Sequence, residues 1–228
     1  MALETVRWSS MSESRSSRTP KGPHRVLRLD PSKLIASGKF RDVYVHPDDE
    51  SKVVKVYRED GAPEKIRAER WYRRLMPGSR YDPNAIDLKE FRRIARTVPQ
   101  FQTSVAPVFG YVETDRGTAL VAGCVRNPDG SICESLQQFV SREGLAAIAP
   151  AIDELFDKLA QGHILVNDFN ARNILVRQDG DKIELVIVDG FGDPAIIPRR
   201  LISRRHNRRK LMLKKGRLLR RLEKLAEG

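Results

Sequence analysis

Asp168 and Asn173 are separated by four residues in VNDFNARNILV (166–176), directly before a short apolar run, and a second apolar run, IELVIV (183–188), ends at Asp189. The two runs are joined by RQDGD, a turn-rich stretch that reads as a β-hairpin. An aspartate and an asparagine before one strand are thus followed, one hairpin later, by a carboxylate at a strand end. Mg²⁺ takes one or two protein oxygens and completes its shell with phosphates and water, and Asn173 and Asp189 supply such a pair. An Asp-x₄-Asn pair is common by chance, and the carboxylate at the end of the next strand is what gives it weight.

The rest of the chain supplies a consistent order of elements. From Val26 short β-rich runs follow one another: VLRL (26–29), LIA (34–36), VYV (43–45) and VVKVY (53–57), broken by Pro, Gly and Asp. Gly61 and Pro63 open a helix with an apolar stripe at Ala68, Trp71, Tyr72 and Leu75. A second helix is expected at about 84–97, with Ile86, Leu88, Phe91 and Ile94 roughly on one side. Strands follow at 105–112 and 118–125, then a loop at 127–131 and helices at 135–142 and 144–161. The later helix carries Leu145, Ile148, Ile152, Leu155, Phe156 and Leu159 at spacings of three and four, and Gly162 stops it. Strands, an inserted helix, a connector, then helices and a hairpin predict an α+β protein in two lobes.

Phosphoryl transfer asks a protein for cations on the phosphates, a rigid cradle and a group that positions the nucleophile. Lys55 lies in the third strand of the first lobe, as in the V-A-I-K strand of kinases, where a lysine reaches the α- and β-phosphates. A carboxylate from the following helix would hold it; Glu69 is the expected partner and Glu64 the alternative. Gly38, in the turn of ASGKFRDVYV, stands where kinase loops lay backbone N–H groups over phosphates, although one glycine replaces the usual three. Asp168 and Asn173 repeat the spacing of the H-R-D-L-x-x-x-N loop. Asp168 would accept the proton of the attacking hydroxyl, and Asn173 and Asp189 would hold Mg²⁺. Cys124 falls at the hinge between lobes, lining the adenine pocket or filling the core. Taken alone, each is an ordinary strand lysine, hairpin glycine or turn aspartate; their order is what points to a protein-kinase-like two-lobed fold with a reduced helical second lobe.

With these residues in place, the sequence resembles the PhoP regulatory network protein YrbL-like family, within the protein-kinase-like superfamily. The resemblance rests on GKFRDVYVHPDDESKVVKV (38–56), VETDRGTALVAGCVRNPDGSICESL (112–136), NDFNARNILV (167–176) and VIVDGFGDP (186–194). It implies the fold more firmly than a substrate. Val166-Asn167 replaces the His-Arg that precedes the aspartate in protein kinases, and Asp189-Gly190-Phe191 replaces Asp-Phe-Gly. No A-P-E element follows, and little chain remains to seat a peptide. Protein phosphorylation is therefore disfavoured relative to a small-molecule acceptor.

Charge separates the chain into parts. The net +12 is concentrated in residues 199–228, which hold 13 Lys/Arg against 2 acids, whereas the remaining residues are nearly neutral at +1. The expected organisation is a Ser/Arg-rich flexible tail over 1–25, a kinase-like domain over 26–198 (first lobe about 26–126, second about 127–198), and a basic helix over 199–228. Leu211, Leu218, Leu222 and Leu225 give that helix an apolar side for packing. Its basic side suits an anionic partner, whether a membrane surface, RNA or DNA; the absence of aromatics there argues against base stacking. Two cysteines exclude a disulfide scaffold, and the four histidines show no metal-ligand spacing. Without an apolar run of 18 residues or a signal-like N-terminus, a cytoplasmic location is expected. Two functions stay open: an ATP- and Mg²⁺-dependent phosphotransferase, or a nucleotide-binding pseudokinase or signalling module that reaches its partner through the basic helix.

Overall fold

The protein, seen in a computed structural model, is described over residues 26–38, 40–58, 82–192 and 202–226. Strands β1 (Leu34–Ser37), β2 (Arg41–His46) and β3 (Asp49–Tyr57) form consecutive antiparallel pairs. Helix α1 (Pro83–Thr97) follows, then β4 (Val108–Thr114) and β5 (Gly117–Gly123). These strands make one five-stranded sheet in the order β1-β2-β3-β5-β4. The second lobe contains a small sheet of β6 (Glu134–Ser135), β7 (Ile174–Asp179) and β8 (Lys182–Ile187), together with helices α2 (Leu136–Glu143), α3 (Ala149–Gln161) and α4 (Arg204–Ala226). Β-rich and helical lobes in this order realise the expected α+β architecture.

Local chemistry explains several boundaries. Asp82 caps α1, accepting from the N–H groups of Asn84 at 2.9 Å and Ala85 at 3.2 Å, and Pro83 suits the first turn. Ser135 and Gln138 form a reciprocal capping box on α2. The second lobe buries one large apolar cluster. Ile152, Leu155, Phe156 and Leu159 of α3 meet Ile174 and Ile187 of the hairpin, and Leu211, Leu218 and Leu222 of α4 close it. Leu88 and Ile94 of α1 and Leu120 of β5 join the same cluster, so one core crosses from lobe to lobe. A smaller cluster of Leu29, Tyr44, Val54, Val56 and Ala119 covers the other side of the five-stranded sheet.

The structure corrects four expectations. VLRL is not a strand; only Leu27 forms a bridge, to Thr114, while Leu29 inserts into the small cluster as a loop residue. The strand expected from residue 105 begins at Val108, because Pro99–Ser104 folds as a 3₁₀ turn and Val105 instead bridges to Ile187. The helix expected from 144 begins at Ala149: Gly144 (φ 80°) ends α2, and Pro150 favours the first turn of a new helix. On the last helix, Leu211, Leu218 and Leu222 are buried, whereas Leu225 is exposed. The helix expected after Gly61 lies outside the described residues.

Candidate functional site

The site forms where β2, β3, α1 and the two ends of the β7–β8 hairpin converge. Hydrogen bonds on the backbone bring the hairpin ends together. The N–H groups of Asn167 and Asp168 both donate to the Gly190 carbonyl, at 2.7 and 3.1 Å, and the Val188 N–H donates to the Asn173 carbonyl at 2.9 Å. Val166 also bridges antiparallel to Phe191. Asp168, Asn173 and Asp189 are therefore set side by side by main chain rather than by their side chains. Gly190 has φ 78°, and a Cβ there would lie 3.0 Å from the Asp168 carbonyl oxygen. The Asp-Gly-Phe order thus has a steric reason: only glycine fits this close approach.

Lys55 projects from β3, opposite Val43 on one side and Leu120 on the other. It is almost wholly buried, and its amine donates to the Val188 carbonyl, one residue before Asp189. Burial lowers its pKa, and Asp189 and Asp87 partly restore it. Asp189 itself is engaged by Arg41, the first residue of β2. Arg41 also donates to Asp87 through both terminal nitrogens at 3.2 Å, and to the Asn84 side-chain oxygen at 2.5 Å.

The resulting buried cluster holds two cations and two carboxylates. Asn84, Asp87 and Glu90 lie three residues apart along α1 and are all buried, so this amphipathic helix turns a polar edge inward. Burial, reinforced by Asp189, pushes the Asp87 carboxyl up to about 7. Asp189 moves the other way: burial would raise it, but Arg41 and Lys55 hold it below the ordinary carboxylate range. Arg41 is kept charged because its two aspartates outweigh its burial. Its side chain is 7% exposed and that of Asp189 is 30% exposed, so the carboxylate is the member of the pair open to solvent.

Helix α1 is also tied to the segment leading into the Asp168 loop. Glu90 accepts from the Leu165 N–H at 2.9 Å and pairs with Arg93 at 2.7 Å, while Arg93 donates to the His163 carbonyl at 2.8 Å. The Gly192 N–H donates to the Leu165 carbonyl at 2.6 Å. From the far side α4 holds the same segment: Asn207 donates to the Ile164 carbonyl at 3.2 Å and Lys214 to the Asn167 carbonyl.

Of the residues expected from sequence, Lys55, Asp168, Asn173 and Asp189 converge here. Gly38 sits at the β1–β2 turn, where its N–H donates to the Arg41 carbonyl at 2.8 Å, so it reaches the site through Arg41. Cys124 follows β5, its N–H donating to the Ser51 carbonyl at 2.8 Å. It lies four residues beyond Leu120, the strand neighbour of Lys55, hence roughly 13 Å along the sheet at the usual rise. Its thiol is partly covered, and burial raises its pKa. Glu69 and Glu64 lie outside the described residues. Sequence reasoning missed Arg41, Asn84 and Asp87. The available signal was RDVY directly after the glycine turn, with Asn, Asp and Glu at spacing three on the helix preceding β4.

A sheet lobe of this strand order, joined through β5 to a helical lobe, with a β3 lysine facing the hairpin ends, defines a protein-kinase-like fold. A crystal structure of the protein kinase Rad53, residues 1–466 in complex with AMP-PNP, superposes with a TM-score of 0.50 at 15% identity. The match covers 84% of this chain and 46% of that one, so the chain spans under half of Rad53's length in that structure. The chain belongs to the family described as PhoP regulatory network protein YrbL, whose profile matches residues 27–223. Two relatives named Uncharacterized protein YrbL, from Escherichia coli (strain K12) and Shigella flexneri, are each 26% identical over 180 residues, covering 76% of this chain and 77% of theirs. Among the described residues, no helix is long and apolar enough to cross a membrane.

Proposed function

We propose that this kinase-like protein binds ATP with Mg²⁺ between its lobes and transfers the γ-phosphoryl group to a small hydroxylated acceptor. The observation that carries the reading is the main-chain pairing of 167–168 with Gly190 and of Asn173 with Val188, which sets two carboxylates and an amide beside a buried lysine. The AMP-PNP held by the Rad53 structure supports a nucleotide as the ligand. The oxygen donors of Asp189 and Asn173 match the chemistry of Mg²⁺, whose charge would offset that of the phosphates. Lys55 would supply the cation for the α- and β-phosphates, and the chain beside Gly38 would line them. Asp168, exposed in its loop, takes the proton of the acceptor hydroxyl. The acceptor oxygen bonds to the γ-phosphorus as the bond to the ADP oxygen breaks. Millimolar ATP with Mg²⁺ should raise the thermal midpoint of the wild type and leave Asp189→Ala unmoved. A wild type that shows no shift would remove the reading.

A second reading, a nucleotide-binding regulatory module with little turnover, is favoured by one observation: Arg41 already occupies Asp189. In this reading the exposed basic side of α4, including Arg205, Arg209, Arg217 and Arg220, contacts an anionic partner. ATP turnover abolished by Asp168→Asn would count against it.

A further inference from the structure

Arg41 is unlike the other members of the cluster because no phosphate-binding loop needs it. In a G-x-G-x-x-G loop, the glycine nearest the start of the second strand leaves room for backbone to approach phosphate. With Gly38 as the middle glycine, that last position falls on Arg41. A residue expected to have no side chain instead sends a guanidinium under the sheet, onto Asn84, Asp87 and Asp189.

The geometry is a built one. Arg41 is buried, and α1 offers it the carboxylate of Asp87 and the amide oxygen of Asn84 on one face. The remaining Asn84 amide nitrogen is itself buried without a partner among the described residues, a spare donor on the same cluster. Asp189 is the partly exposed end of this chain of contacts and the carboxylate assigned above to the divalent ion. Arg41 takes one oxygen of that carboxylate, so a divalent ion on the same group would stand against the like charge of the guanidinium.

We infer that Arg41 is a resident cation of the site that competes with a divalent metal for Asp189, so that it, rather than the carboxylates alone, sets how much metal the site demands. This rests on the nucleotide–metal reading above. When the metal is taken up, Arg41 keeps Asp87 and Asn84 as partners and gives up only Asp189. The anchor on α1 is what makes the exchange feasible, because the buried guanidinium keeps the Asp87 carboxyl and the Asn84 amide oxygen as hydrogen-bond acceptors.

The test follows Mn²⁺ binding by the loss of its free electron-paramagnetic signal, with the full chain, at fixed AMP-PNP; Asp189→Asn supplies the blank. Arg41→Met keeps the length of the side chain without its charge, and the double variant Arg41→Met with Asp87→Asn avoids an unpaired buried carboxylate should the single variant fold poorly. The Asp189-dependent Mn²⁺ affinity should rise by about 5-fold or more, the lower end of ordinary coupling between sites. Equal or weaker Mn²⁺ binding in the folded double variant would overturn the competition while leaving the nucleotide reading intact. A wild type that binds neither AMP-PNP nor Asp189-dependent Mn²⁺ overturns both.

Discussion

Asp87 and Asp189 share one arginine yet are driven apart in acidity: burial prevails at Asp87, whereas at Asp189 it is outweighed by Arg41 and Lys55. Asp87 is 2% exposed and its carboxyl is raised to about 7, first by burial and then by the neighbouring Asp189 charge. In the unfolded chain it reverts to an ordinary aspartate near 3.9. Between those values the folded protein retains a proton that the unfolded chain has released, so stability from this group falls as pH rises through the window. Thermal midpoints at pH 5 and pH 8 should therefore differ more in the wild type than in Asp87→Asn, which keeps an acceptor for Arg41 but does not titrate. Parallel profiles would contradict the assignment. Gly190 gives a second prediction at this scale. A methyl group there meets the Asp168 backbone in a left-handed conformation, and Gly190→Ala should cost about 2 kcal/mol, measured by urea unfolding. No loss of stability would mean the Asp168 loop adapts freely. Arg41 and Asp87 escaped the sequence reading for a physical reason: a lone strand arginine and a helix aspartate carry no periodicity, and only the packing of α1 under the sheet makes them partners.

Helix α1 packs on both lobes. Its apolar residues Leu88 and Ile94 enter the large core, while Glu90 and Arg93 fasten the chain that leads into Asp168. Removing the Glu90 carboxylate leaves the buried Leu165 N–H without its acceptor and Arg93 without its counter-charge. Glu90→Ala should cost roughly 2–3 kcal/mol and weaken nucleotide binding as well, since the loop loses its brace. Calorimetry with AMP-PNP would check it; unchanged affinity would show that α1 braces the fold but not the site. The helix itself was legible, because Asp82-Pro83 and the spacing of Leu88 and Ile94 announce a capped amphipathic segment. Its inward polar edge was not. A stripe of Asn, Asp and Glu reads as a solvent face unless a buried arginine is known to meet it. The hairpin was more legible: two apolar runs and a glycine turn specify β7 and β8, and the 166–176 loop lies beside them by chain connectivity.

For the molecule as a whole, the unequal charge distribution has a structural counterpart. The basic segment closes the second lobe, with Leu211, Leu218 and Leu222 buried in the core and Asn207 and Lys214 bound to the loop that carries Asp168. Leu218→Ala should cost about 3 kcal/mol by opening a cavity against α2 and α3, and lower the thermal midpoint by roughly 6–12 °C for a chain of this size. A change below one degree would mean that α4 detaches readily. The leucine spacing predicted the packed side, whereas VLRL misled because four apolar-rich residues fit a loop plugging a small cluster as well as they fit a strand.

The central claim is a phosphate and metal site between the lobes, and a crystal structure with AMP-PNP and Mg²⁺ tests it most directly. The account predicts phosphates between the Gly38 turn and Lys55, the metal on Asp189 and Asn173, and Arg41 moved off Asp189 while still on Asp87. A nucleotide bound elsewhere, or one bound with the Arg41–Asp189 pair intact and no metal on Asp189, would contradict it.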